Sequence, residues 1–187
     1  MCLIIAHDPI RSIAPVHIDV IEEAIISNPD GCGIAYAQHG RLHIIKTLQP
    51  DVETQHDLLS RLYFDSVPFV WHVRYATHGS PSIQNCHPFQ VRDVAIAHNG
   101  ILSGYGYKDK SDTRDFIDRN LRRLPSSVLM SDATIRKIES MPSMRGSKLA
   151  LIHADGRLQL ANSRLGSWCT ESGHWFSVPW FADYDPY

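Results

Sequence analysis

Four short stretches of this sequence carry side chains that could act together on one substrate. The first is MCLII, where Cys2 directly follows the initiator methionine. With Met1 removed, Cys2 would hold a thiol of pKa near ~8.5 and a free α-amine near ~7.7–8.0. One residue would then supply both a nucleophile and a general base. The second is HVRYATHGSPSIQNCHPF, residues 72–89, in which Arg74 stands where a strand passes into a polar loop. Its guanidinium is a planar, permanently charged fork suited to a carboxylate. The third is IAHNGIL, where the Asn99 amide and the Gly100 backbone N–H can converge on one developing negative charge. The fourth is KSDTRDF, whose Asp112 can face a cleft and take an ammonium group.

Each stretch also has a plainer explanation. Cys2 can be a small buried hydrophobe, and Arg74 a structural ion-pair partner. Asn99-Gly100 is a common hairpin turn, and Ser111-Asp112-Thr113 an ordinary helix cap. His72, His78 and His87, with Cys86, raise the question of a metal, but their spacing fits no zinc module; no metal and no cofactor is expected. Taken together, the four stretches offer a thiol with an amine, a cation for a carboxylate, donors for an oxyanion and a carboxylate for an ammonium. The molecule those parts fit is a free amino acid with a side-chain amide: glutamine, or the shorter asparagine.

These groups need elements to hold them. Residues 2–6 read as a short buried strand, and residues 15–27 as a helix with Ile18, Ile21 and Ile25 near one face. Asn28-Pro29-Asp30-Gly31 is a strong turn. Strands are expected at 32–38 and 41–47 around His39-Gly40, then a helix capped by Asp51 that carries Leu58, Leu59 and Leu62. Further strands fall at 67–74 and 94–98. Helices should open at Ser111-Asp112-Thr113 and Ser131-Asp132. Segments 149–153 and 158–161 flank a hairpin signal, Ala154-Asp155-Gly156-Arg157. The aromatic tail, 168–187, reads as one more strand followed by a surface arm. Hairpins with clustered helices predict an α+β fold.

The 187 residues suit one domain. A hydrophobic fraction of 43% against 20% charged is an ordinary globular balance. A net charge of −2 with scattered basic residues offers no footprint for nucleic acid or an anionic membrane. Four cysteines without a zinc or CxxC pattern, and no secretory signal, predict reduced thiols in a cytoplasmic protein.

The chain resembles the class II glutamine amidotransferase domains, which are N-terminal-nucleophile hydrolases. The likeness rests on five segments in order: MC at the start, NPDGCGIAY (28–36), HVRYATHGSPSIQNCHPF, AHNGIL (97–102) and SDT before a helix. LALIHADGRLQLANS (149–163) is similar, more weakly, to a closing hairpin of such domains. The resemblance implies a four-layer αββα sandwich of two antiparallel sheets. It makes Cys2 the nucleophile, Asn99 and Gly100 the oxyanion hole, Arg74 the ligand of the glutamine α-carboxylate and Asp112 that of the α-amino group. Thr77 and His78 would line the pocket. Tyr75 stands where many relatives have the tryptophan that helps close it, and Cys32 where short free-standing relatives often have an aromatic.

A glutaminase domain of this kind uses nearly the whole chain, so the expectation is no acceptor domain within it. Ammonia would go to an acceptor handled by a separate synthetase subunit, for which the tail around Trp175, Trp180 and Tyr184 is a candidate docking arm. Two other readings remain open at this point: an N-terminal-cysteine amidohydrolase for another amide, and a retired domain that senses glutamine or binds a partner.

Overall fold

The computed structural model describes residues 2–76 and 82–183. Ten strands form two sheets, and every pairing is antiparallel. The first sheet holds β1 (Leu3–His7), β2 (Cys32–Gln38), β3 (Arg41–Thr47), β4 (Phe69–Val73), β9 (Ser167–Trp168) and β10 (Trp175–Phe176). Their order is β3-β2-β4-β1-β10-β9. The second sheet, in the order β5-β6-β7-β8, comprises β5 (Phe89–Val91), β6 (Val94–Asn99), β7 (Lys148–His153) and β8 (Leu158–Ala161). Helices α1 (Ile18–Ser27) and α2 (Val52–Phe64) cover the first sheet. The second is covered by α3 (Asp112–Phe116), α4 (Ser126–Leu129) and α5 (Asp132–Glu139), with a π-helical turn at Ile117–Leu121. A short α6 (Pro179–Ala182) packs near the chain's end. The fold is therefore the expected α+β, αββα sandwich.

Strand β1 shows why this order of layers suits the sequence. It lies between β4 and β10, with Leu3 and Ile5 packed toward the helices and Ile4 and Ala6 toward the second sheet. A strand buried on both faces reads as an uninterrupted apolar run, and Leu3, Ile4 and Ile5 are wholly buried. Each such side chain contributes about 1.5–3 kcal/mol by leaving water. Between the sheets the contact is made largely by small residues, including Ala6, Ala35, Ala37, Ala95, Ala97 and Ala150, so the sheets can lie close.

Local signals account for most element ends. Asp51 caps α2, accepting the Thr54 N–H at 2.8 Å. Ser131 caps α5 from its hydroxyl. The β2–β3 hairpin turns at His39-Gly40, both with positive φ. Helix α1 starts later than the sequence suggests, because the His17 side chain, not Pro15, provides the cap.

The plainer hairpin explanation of Asn99-Gly100 falls: β6 pairs with β7, Asn99 opposite Lys148. One expectation needs correction: the tail, read as one strand followed by a surface arm, forms β9, β10 and α6. Trp175 is fully buried between the sheets, and its indole N–H donates to the Ser163 carbonyl at 3.1 Å. Trp180 is half exposed, and Tyr184 lies outside the described residues. Four elements went unpredicted: β5, α4, α6 and the two-residue β9, all too short to carry a periodic pattern. Among the described residues no helix is long and apolar enough to cross a membrane.

Two histidines outside the stretches singled out above are buried. The His7 ring stacks on Phe69 with centroids 4.7 Å apart and meets His174 edge-on at 5.1 Å. Burial lowers the His7 pKa to about 4 and that of His174 to about 3, and both rings are neutral in the fold at neutral pH. An unfolded histidine titrates near ~6.5. Between that value and the folded one, the unfolded chain binds a proton that the folded chain does not, and stability falls as pH drops. Replacing His7→Leu is expected to make stability less steep in pH between about 6 and 4.5, by about one proton. Denaturant titrations of both proteins across that range would check this; an unchanged slope would mean His7 does not stay neutral in the fold.

Candidate active site

The register of the first sheet brings two of the predicted groups together. Leu3 pairs with Val73, so Cys2, one residue earlier, lies beside Arg74 and Tyr75, one and two residues later. The Tyr75 N–H donates to Cys2 Sγ at 3.3 Å, and the thiol lies 3.3 Å from the Tyr75 carbonyl. Burial pushes the Cys2 thiol pKa up, against the opposing pull of the Tyr75 N–H and the Arg74 charge. At neutral pH the group is a thiol, and a nucleophilic step from it needs a base.

One small cavity is bordered by Cys2, Arg74, Tyr75, His87, His98, Gly100, Ser111 and Asp112. Five of the predicted site residues are in that set. Its volume of about 20 Å³ has room for a single water. Thr77 and His78 lie outside the described residues.

Asp112 reaches the cavity because Ser111 does the capping. The Ser111 hydroxyl accepts the Arg114 N–H at 3.3 Å, and the Asp112 carboxylate is left at the first helical position. Oδ2 accepts the Leu102 N–H at 2.8 Å, and Oδ1 the Thr113 N–H at 2.7 Å and its hydroxyl at 3.2 Å. A carboxylate accepts about four hydrogen bonds, so capacity remains for a ligand. Gly100 sits at φ 137°, and a Cβ there would come within 2.5 Å of Ser147 Oγ and 2.8 Å of Ser147 Cα. A side chain at that position would displace the backbone that borders the thiol.

Asn99 is placed differently from the expectation. It is buried at the end of β6 but does not border the cavity, and its Nδ2 lies 2.8 Å from Ser177 Oγ.

Polar side chains hold the surrounding loops. In the Asn28–Gly31 turn, Asp30 Oδ2 accepts the Ala76 N–H at 2.6 Å, and the Arg74 backbone bonds Gly31 and Asp30 at 2.8 and 3.0 Å. Asn85 joins the 82–88 segment to the start of α3: its amide donates to the Asp109 carbonyl at 2.7 Å and accepts the Ser111 N–H at 3.1 Å. Lys46 Nζ donates to the Cys86 carbonyl at 2.7 Å.

Three histidine rings cluster at the cavity, two of them, His87 and His98, on its border. His72 and His87 ring centroids are 4.2 Å apart, and His87 and His98 6.3 Å. His72 Nε2 meets the His98 carbonyl at 3.1 Å, and His98 Nδ1 the Thr113 hydroxyl at 2.9 Å. Burial lowers His72 to about 3, His98 to about 4 and His87 well below its usual value. Uncharged imidazoles leave Arg74 and Asp112 as the charged side chains bordering the cavity. Among the described residues no group of three or more His, Cys, Asp or Glu is placed to hold a metal ion.

Sequence reasoning passed over His98, Ser111, Asn85, Lys148 and Ser177. The first three lie inside quoted motifs, where neighbours drew the attention. Lys148, whose amine burial makes less basic, and Ser177 had no local signal.

A sandwich of this topology with a thiol just ahead of a central strand has the architecture of the N-terminal-nucleophile hydrolases. Comparison with known proteins narrows the class. A family model for the class II glutamine amidotransferases matches residues 22–116, about half of the chain, and the chain belongs to that family. The glutamine–fructose-6-phosphate aminotransferase (isomerizing) of Mesorhizobium japonicum is 24% identical over 195 residues, covering 88% of this chain and 32% of that protein. The Chlamydia abortus enzyme of the same name is 31% identical over 107 residues, 56% of this chain and 17% of its own length. The chain thus spans a third or less of these relatives. Among solved structures, the glutamine phosphoribosylpyrophosphate amidotransferase of B. subtilis superposes with a TM-score of 0.51 over 94% of this chain and 41% of that one, at 14% identity; that likeness concerns the fold.

Gly33 tests how tightly the site is packed. A Cβ there would lie 2.1 Å from the His87 carbonyl oxygen, so the 82–88 segment rests directly on β2. Gly33→Ala should destabilise the protein by about 1–3 kcal/mol, the usual cost of overpacking. That would lower Tm by roughly 2–4 °C per kcal/mol for a chain of this size. A melting temperature equal to that of the unmodified protein would show that the segment can lift away at no cost.

Proposed function

We propose that this protein hydrolyses the side-chain amide of L-glutamine through a thioester on Cys2, after removal of Met1. The observation that carries this reading is the convergence of Cys2, Arg74, Gly100 and Asp112 on one cavity. A cation and a carboxylate are its charged borders, the complement of an amino acid's α-carboxylate and α-ammonium. Membership of the class II glutamine amidotransferases agrees with it.

In the proposed reaction the Cys2 amine takes the thiol proton, and the sulfur attacks the amide carbon. The tetrahedral oxyanion is held by the Gly100 N–H and the Asn99 amide. The C–N bond breaks, and the nitrogen leaves as ammonia with the proton returned by the Cys2 amine. Water, deprotonated by the same amine, then attacks the γ-glutamyl thioester. Glutamate leaves and the thiol is restored. The net change is glutamine plus water to glutamate plus ammonia, with no cofactor. Arg74 and Asp112 would supply specificity, because only a substrate with both an α-carboxylate and an α-ammonium can pair with both charges. Tyr75, with Thr77 and His78 in the adjoining loop, would line the glutamine site. The pocket must widen to admit the substrate. The ammonia would pass to an acceptor handled by a separate partner.

The deciding experiment is ammonia and glutamate release from L-glutamine by protein whose intact mass shows Met1 removed. Cys2→Ala should abolish release, and normal turnover by that variant would sink the scheme. Arg74→Ala should raise KM for glutamine by about 10- to 100-fold, the value of a lost charged hydrogen-bonded contact. Arg74→Lys should fall between, because it keeps the charge and loses the fork. An unchanged KM in both would remove Arg74 from the substrate site.

A further inference from the structure

The hydrogen bonds of Asn99 and Ser177 bear on how the Asn99 amide is turned. Both residues are buried. Ser177 Oγ accepts the Ile4 N–H at 2.8 Å, and the Ser177 N–H donates to the Ile4 carbonyl at 2.9 Å. If Asn99 Nδ2 also donates to that Oγ, at 2.8 Å, the hydroxyl receives two donors. Its own proton then finds no acceptor among the described residues. Asn99 Oδ1, meanwhile, is buried with no partner among them. A hydroxyl without an acceptor beside a carbonyl without a donor is a costly pair.

Turning the amide by half a turn removes both faults. The nitrogen and oxygen of an amide are assigned from the network around them. In the turned orientation Ser177 Oγ–H donates to Asn99 Oδ1, while Oγ still accepts the Ile4 N–H. The Nδ2 group then becomes a buried donor with no protein acceptor. It stands at the end of β6, next to Gly100, which borders the Cys2 thiol.

We propose that Ser177 is the positioning residue for the oxyanion site: its hydroxyl holds the Asn99 amide turned so that Nδ2 faces the charge developing on the substrate. This rests on the glutaminase reading above. The same hydroxyl is bonded to Ile4, two residues along the strand from Cys2, so nucleophile and oxyanion donor share one anchor. Ser177 comes from the strand end after β10, 78 positions from Asn99 and outside the span matched by the family model.

The test is a double-mutant cycle on glutamine hydrolysis by protein lacking Met1. Asn99→Ala should lower kcat by about 10²–10³-fold, as loss of one oxyanion donor does. Ser177→Ala should lower kcat by at least about tenfold, with KM changed less than about twofold, because the substrate's charged ends are held elsewhere. Adding Ser177→Ala to Asn99→Ala should cost several-fold less than Ser177→Ala costs alone, since the serine acts on the oxyanion site through the asparagine, and the remaining loss reports its bond to Ile4. Ser177→Cys, close in size but a weak donor, should follow the alanine variant in kcat and covers the case in which alanine misfolds. Multiplicative losses, or wild-type kcat in either Ser177 variant, would overturn the proposal. A wild-type protein that releases no ammonia would instead overturn the glutaminase reading, and this inference with it.

Discussion

The pairing of β1 with β4 is the constraint on which the rest of the site depends. Leu3 opposite Val73 sets Cys2 against the segment from Arg74 to Tyr75. That register is enforced from both sides, because β1 buries Leu3 and Ile5 against helices and Ile4 and Ala6 against the second sheet. A slip of one residue would exchange the two faces along the strand, and the sulfur would turn with them toward the helical layer. The thiol's position is thus set by apolar packing several residues away, and its contacts with the Tyr75 backbone follow from that register.

Around that fixed strand the loops are held by polar groups with short reach. Asp30 binds the backbone after Arg74, and Asn85 ties the 82–88 segment to the start of α3. Ser111 takes over the helix cap, which frees the Asp112 carboxylate for the cavity. These contacts satisfy backbone donors and, at Asp109, a carbonyl acceptor that the loops would otherwise leave open. Burial keeps the neighbouring imidazoles uncharged, and the field in the cavity is left to one guanidinium and one carboxylate. Burial also raises the Cys2 thiol pKa, so the nucleophile of the proposed reaction depends on an amine that exists only once Met1 has gone.

Much of this was legible in the sequence. The β2–β3 hairpin, the Asp51 cap and the αββα layering follow from periodicity, turn residues and a resemblance carried by long motifs. The site residues that border the cavity were legible because they cluster in those motifs. The contact of Asn99 with Ser177 was not legible, because it lies across the sheets. The tail was misjudged because an aromatic run looks alike whether it lies on a surface or fills a core, and Trp175 does the latter. Strands of two or three residues, such as β5 and β9, are too short for a pattern and exist because a neighbouring strand pairs with them.

By itself the sequence determined which chemistry is available: a thiol behind the first methionine, a guanidinium, an amide beside a glycine, and a carboxylate at a helix start. It also determined the local elements that carry them, since helix caps, turns and strand alternation are decided within a few residues. Tertiary structure alone decided the company those groups keep. It set Cys2 beside Tyr75, freed Asp112 from the cap, neutralised the histidines and brought Ser177 to Asn99. Those outcomes come from strands far apart in the chain closing a shared core, and packing of that kind leaves no local trace in the sequence.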